Sequence, residues 1–332
     1  MKDTKRALRP RVVCFGGGNA LPHVVLKELK KYPLEITSIT SMVDDGGSAG
    51  ALRKEFDVLP AGDIRRHLLA LADLPKEEKW KEKLWNFRFA KDIEISPGHF
   101  GHNFANVFLA GLEVNLGFEK ALEVSHRFLN VKGCCLPATT DKAILFAQLE
   151  DDKVIEGESE IDLGQNHNRS LKIKKVFLKP EAVAFGETLR EIERADIIII
   201  GPGDFYSSLV PCFLPKGIKE AIGKSKAKKV FICPAMTKLG ETQNFSVRNF
   251  SDEMEKYIGK DLDFVIYNNN LPKDRIERYK KKKGKEFVLD PPKIDKNLEK
   301  DKFIGRNLLF DKGPIEYNPN RVVRLILELC RQ

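Results

Sequence analysis

The stretch Ser41–Leu71, SMVDDGGSAGALRKEFDVLPAGDIRRHLLAL, gathers the side chains of a phosphate site. Asp44, Asp45 and Asp63 stand beside glycine-marked turns, and Arg53, Arg65 and Arg66 follow on the segments behind them. Carboxylate oxygens hold hard divalent cations such as Mg2+. Arginine grips phosphate oxygens in a bidentate fork, and glycine lets backbone N–H groups approach a ligand closely. The natural partner of this stretch is the glycine run at 16–18, whose turn leads into a helix start, a place where anions bind. Gly16, Gly17, Gly18 and Asn19 are therefore the expected phosphate cradle, and Arg53 and Arg65 its expected cationic grip. Asp44, Asp45 and Asp63 are the candidate Mg2+ ligands. If the site is catalytic, Asp63 and Asp45 are the candidate reacting carboxylates, with Asp63 orienting an attacking hydroxyl. The competing reading makes these aspartates helix N-caps.

Strand ends must position these groups. RVVCF at 11–15 is a β-type run, and apolar residues at 21, 24, 25, 26 and 29 mark the helix face after the glycines. ITSITSMV at 36–43 is a second β-branched strand running into DDGG. Helices are predicted over 78–89, 100–112 and 118–129. His99 and His102 in the intervening turn lack a third histidine and make a poor metal pair, while Asn103 is a polar ligand contact at a helix start. From 132 to about 180 short β-runs alternate with turns, as hairpins extending the main sheet or forming a small subdomain.

The sheet pattern resumes at IIII, 197–200, a run buried on both faces. After it come Gly201 and Gly203, with Asp204, Ser207 and Ser208 as polar contacts and Tyr206 as a stacking face. KKVFIC at 228–233 leads to PAMTKLGET, which supplies Thr237, and DFVIY at 263–267 leads to Asn268. Strands that repeatedly deliver glycines and small polar residues at their ends define an α/β chain. The expected fold is Rossmann-like and doubly wound, with a mostly parallel sheet and a small strand-rich insertion. After a basic tail, 1–10, residues 11–332 read as one domain, with a lysine-rich surface excursion at about 273–303 and a closing helix at 321–329.

The net charge of +9 lies mostly in the tail and in KDRIERYKKKKGKEF at 273–287. No interleaved aromatics or zinc-finger spacing accompany it, so nucleic acid is disfavoured as a partner. The six cysteines form no CxxC pair and read as reduced thiols. No apolar run approaches a membrane span and no secretory core follows the basic start, so the expected location is the cytoplasm. GxGxxG is absent, which disfavours a nicotinamide oxidoreductase, and no redox cofactor is expected. Folds of this kind commonly form homodimers.

Taken together, GGG at 16–18, DDGGSAGALR at 44–53, PAGDIRR at 60–66, GHFGHN at 98–103, GPGDFYSS at 201–208 and MTKLGET at 236–242 resemble an ordered motif set. It is that of the gluconeogenesis-factor (YvcK-type) branch of the CofD-like family, whose founding members are 2-phospho-L-lactate transferases. The resemblance covers about residues 11–272. It implies a nucleotide-derived ligand over the strand ends. Transferase relatives move a phospholactate group from a guanosine diphosphate-linked donor to a deazaflavin alcohol with magnesium. The gluconeogenesis-factor branch is associated with binding UDP-sugars and with control of carbon flow into cell-wall precursors. A non-catalytic sensor of that kind would act through a regulatory protein partner. The sequence departs from the family pattern at Asn19-Ala20 after GGG, where Thr-Gly is usual, and at Arg66-His67, where Asn usually follows the GDIR arginine. It departs again at GPGDFYSS, for a more usual GPGSLYTS.

Overall fold

The computed structural model describes residues 9–90, 92–96, 99–164, 166–283 and 290–331. The basic tail through residue 8, Pro97 and Gly98 of the predicted turn, and residues 284–289 of the lysine-rich stretch lie outside the described residues.

Seven strands make one sheet: β1 Arg11–Phe15, β2 Glu35–Thr40, β3 Cys134–Pro137, β4 Ile197–Ile200, β5 Lys228–Ile232, β6 Phe264–Asn268 and β7 Phe303–Arg306. Their order is β3-β2-β1-β4-β5-β6-β7, and every neighbouring pair is parallel. Parallel strands need helical crossovers, which cover both faces of the sheet and bury the central strands on both sides. Hence the unbroken apolar run of β4, all four residues of which are buried. Winding runs outward in both directions from β1 and β4, so those two strands flank the switch point. In such sheets the loops beyond the carboxyl ends of the two flanking strands diverge, and the crevice between them is where ligands bind. The glycine run follows β1 and Gly201-Pro202-Gly203 follows β4. The helical segments after both loops are wound as π turns, Pro22–Leu26 and Phe205–Leu209, a winding frequent at functional sites.

Two expectations gain detail. The strand-rich section divides between two sheets: Cys134–Pro137 joins the main sheet beside β2, while Ile144–Leu149, Val154–Glu156 and Ile173–Lys179 form a separate antiparallel sheet. In its central strand buried and half-buried residues alternate, so one face packs on the core. Phe146 and Phe177 stack at 5.7 Å on the other face, under Lys179. The lysine-rich stretch is likewise more than a surface excursion. It begins as a helix, Lys273–Lys283, and its last residue, Phe303, is buried and starts the edge strand β7.

Candidate functional site

The floor of the crevice is set by contacts too close for a side chain. A Cβ on Gly18 would lie 2.5 Å from Asp63 Oδ1 and 2.7 Å from the Asp63 Cα; one on Gly17 would lie 2.8 Å from Ser208 Cβ. Gly203 packs next to the Gly17 N–H. Among the described residues no protein acceptor meets the N–H groups of Gly17 or Gly18, whereas Gly16 N–H donates to the Ile39 carbonyl at 3.2 Å. Gly16 is required by its packing on Leu21, 2.9 Å from its would-be Cβ, and Asn19 is exposed. The cradle therefore narrows to Gly17 and Gly18.

His67, one of the departures from the family pattern, fixes this loop from below. Fully buried, it pairs one ring nitrogen with Ser38 Oγ at 2.5 Å and the other with the Gly17 carbonyl at 3.1 Å. Burial pushes its pKa down to about 4, so the ring is neutral, with one N–H to donate to the carbonyl. The Gly17 carbonyl is turned away from the crevice as a result.

The aspartates separate. Asp44 and Asp63 face one another across the mouth of the loop. Burial, then the charge of Asp63, pushes the Asp44 carboxyl up to about 6, against a hydrogen bond from Gly46 N–H at 3.0 Å. Arg66 balances Asp63 at 3.6 Å. Asp45 belongs to neither. Its carboxylate accepts from the N–H groups of Glu158 (3.1 Å) and Ser159 (2.9 Å), capping the helix Glu158–Leu163 that the insertion sends over the sheet. Asp45 thus docks the insertion onto the turn that carries Asp44. Glu158, invisible to motif reading, takes its place among the acids; burial and then Asp44 and Asp63 raise its pKa well above the usual carboxylate range.

Among the described residues no group of three or more His, Cys, Asp or Glu side chains is placed to hold a metal by itself. Two carboxylates do fit Mg2+, which is commonly held by one or two of them plus water and ligand phosphates. The mutual repulsion that raises Asp44 is what a divalent cation would relieve.

Asp44 and His67 have opposite linkage to pH. The raised pKa of Asp44 gives stability that is present below about 4 and lost as pH rises through about 6, roughly 3 kcal/mol in all. The depressed pKa of His67 gives a similar amount that is present above about 6.5 and lost as pH falls through about 4. The two largely offset between those limits. Asp44→Asn is expected to stabilise the protein by up to about 3 kcal/mol at pH 7.5 and to expose the acid limit set by His67. Urea midpoints of both proteins at pH 7.5 and 4.5 check this; equal midpoints at pH 7.5 would show that Asp44 carries no such strain.

The third wall comes from the loops after β4 and β5. Glu241, buried, accepts from the N–H groups of Tyr206 (2.7 Å) and Ser207 (3.1 Å) and from Ser207 Oγ (3.0 Å). Lys238 contacts Asp162, Asp204 (3.1 Å) and Glu241 (3.2 Å), tying the insertion to both loops. Ser207 is thereby held by structure and Ser208 is the serine against the glycine loop. Tyr206 is no stacking platform: it is buried against Phe205, Phe245 and Tyr257 and its hydroxyl donates to Glu253.

Five other expected contacts are also spent on structure. Asn103 caps the helix Phe104–Leu116 and donates to the Trp85 and Phe87 carbonyls. Thr237 bonds the Asp290 carbonyl, and Asn268 spans Asn270 and Leu308. Arg53 donates to the Ala143 carbonyl at 2.7 Å, although Asp45 and Asp44 still act on its charge. Gly201 N–H is held by the Phe15 carbonyl at 2.8 Å. His102 rests on Ser48 Oγ at 3.2 Å, beside the turn that carries Asp44. A groove of about 800 Å3 lies elsewhere, beside edge strand β3. Its His126 is committed to the Leu122 carbonyl and the Cys135 N–H.

A seven-stranded parallel sheet with a glycine loop and two aspartates near its switch point defines a Rossmann-like α/β protein. The family model described as "2-phospho-L-lactate transferase CofD" matches residues 12–305, and the chain belongs to that family. A putative gluconeogenesis factor of Thermotoga maritima is 40% identical over 89% of this chain and 90% of its own length. The gluconeogenesis factor of Bacillus subtilis is 35% identical over 98% of this chain and 99% of its own. A crystal structure of a Bacillus halodurans protein superposes with a TM-score of 0.85 at 34% identity, covering 96% of this chain and 100% of that one. Among the described residues no helix is long and apolar enough to cross a membrane.

Proposed function

We propose that the protein binds a nucleotide-sugar of the UDP-sugar class in the switch-point crevice, as a cytoplasmic metabolite-binding factor linking carbon metabolism to cell-wall precursor supply. The observation that carries this reading is the pair of uncommitted N–H groups on Gly17 and Gly18, held open by His67 and facing Asp44 and Asp63. Backbone donors at a helix start suit a diphosphate. The gluconeogenesis-factor names of the relatives above support the biological side.

A second reading, a Mg2+-dependent transferase of the 2-phospho-L-lactate type, is favoured by the Asp44–Asp63 pair and by the family's own description. Mg2+ bound there would neutralise charge on diphosphate oxygens. Gly17 and Gly18 would then hold the donor in place while Asp63 oriented the acceptor hydroxyl. Such transfer depends on positioning and charge neutralisation rather than on a covalent nucleophile.

Calorimetric titration of UDP-N-acetylglucosamine and of GDP, each with and without Mg2+, tests both readings. The first expects tight UDP-sugar binding without turnover. GDP binding that needs Mg2+ and is lost in Asp44→Asn would move the assignment to the transferase. Silence with both ligands would rule out both readings.

A further inference from the structure

Among the described residues the guanidinium of Arg65 has no hydrogen-bond or ion-pair partner. The residue is 7% exposed, and its Nε is buried without a hydrogen-bond acceptor. No hydrogen bond or ion pair joins its side chain to any described residue; the Trp85 indole bond is to its backbone carbonyl. The neighbours that act most on its charge are cations. Burial, then Arg66 and Arg88, pull its pKa down to about 10, and this outweighs the pull of Asp63 and Asp44. Those two carboxylates are engaged elsewhere, Asp63 with Arg66 and Asp44 with Gly46 N–H. The surroundings are rigid. Trp85 and Asn103 tie the start of the arginine-bearing segment to the helix behind it, and Arg88 is anchored to the Gly101 carbonyl at 2.8 Å.

A nearly buried cation near two others, with no paired acceptor among the described residues, costs the folded protein stability unless an anion enters. We propose that Arg65 and Arg88, with Arg66 at the rim, form an oxyanion pocket on the flank of the crevice, taking a phosphate or carboxylate group. The planar fork of arginine fits either group in bidentate fashion. The pocket is made of side-chain cations, so it is an addition to the backbone cradle of Gly17 and Gly18. It rests on the proposed function only in the identity of the molecule that carries the oxyanion. That molecule is either the crevice ligand itself or a second anionic metabolite.

Inorganic phosphate, without nucleotide or Mg2+, is the probe. Phosphate is expected to raise the melting temperature of the wild-type protein and to bind roughly tenfold or more weakly to Arg65→Met and to Arg88→Met. Arg127→Met, on a remote helix, is expected to bind it like wild type. Without phosphate, Arg65→Met is expected to melt above wild type, because a methionine of similar length removes the unpaired charge. No phosphate effect on wild type, or unchanged phosphate affinity in both pocket variants, would overturn the proposal. Arg65→Met melting below wild type would also count against it, since it would mean that the guanidinium already has structural partners. UDP-N-acetylglucosamine that displaces phosphate identifies the crevice ligand as the source; simultaneous binding identifies a second molecule. Both patterns support the pocket. A failure of the nucleotide-sugar to bind, with phosphate binding intact, would sink the proposed function alone.

Discussion

Gly18→Ala is expected to abolish ligand binding in the crevice and to cost the fold about 3 kcal/mol. The added methyl would meet Asp63 Oδ1 at 2.5 Å and, more seriously, the Asp63 Cα at 2.7 Å. A side chain could rotate away from the first contact, but the second is backbone within the first turn of the helix Gly62–Leu71. The glycine loop and that helix must therefore move apart. The shift would also stretch the His67 bond to the Gly17 carbonyl and redirect the two N–H donors. Gly111→Ala makes the control: no atom lies within 4 Å of its would-be Cβ. In the interior of the helix Phe104–Leu116 it should stabilise by up to about 1 kcal/mol. Thermal melts and titration with UDP-N-acetylglucosamine compare the two. Full binding by Gly18→Ala would show that the loop is not part of the ligand site.

Lys238→Met is expected to destabilise the protein by roughly 3–5 kcal/mol, the usual result of removing one partner from a buried charge network. The ammonium is 14% exposed and meets Asp162, Asp204 and Glu241, the last with a fully buried side chain. Without it Asp162 and Glu241 lose the ammonium that both contact. Loss of a cation costs most while carboxylates are charged, so the deficit should be greatest at neutral pH and shrink toward pH 4. Because Asp162 belongs to the insertion, amide exchange should quicken first over Ile144–Lys179. Urea melts across pH, with exchange mapped at neutral pH, measure both effects. A deficit independent of pH would point to lost packing by the lysine stem instead of lost charge.

The strands were legible because burial on both faces demands continuous β-branched and aliphatic runs, which RVVCF and IIII display without any partner in view. β7 was not legible. As a four-residue edge strand, half of it only partly buried, it lacks such a run and sits behind a lysine-rich helix. The crevice itself followed from glycines and acids recurring at strand ends.

What the sequence alone determined is the switch-point architecture, the family, and the involvement of Gly17, Gly18, Asp44 and Asp63 in one region. Tertiary structure decided the division of labour. Adjacent residues such as Asp44 and Asp45 carry the same chemistry in a motif, yet the turn sends one side chain into the crevice and the other onto a helix start more than a hundred residues away. Tyr206, Asn103 and Thr237 show the same limit, since a polar group offered by a loop is claimed by whichever buried donor or acceptor lies nearest. Glu158, Lys238 and Glu241 entered the site by long-range packing, and Arg65 was left with an unmatched charge. Local pattern specifies which groups are present; only the folded arrangement specifies which of them remain uncommitted, because each buried polar group must be satisfied by neighbours that the chain brings from elsewhere.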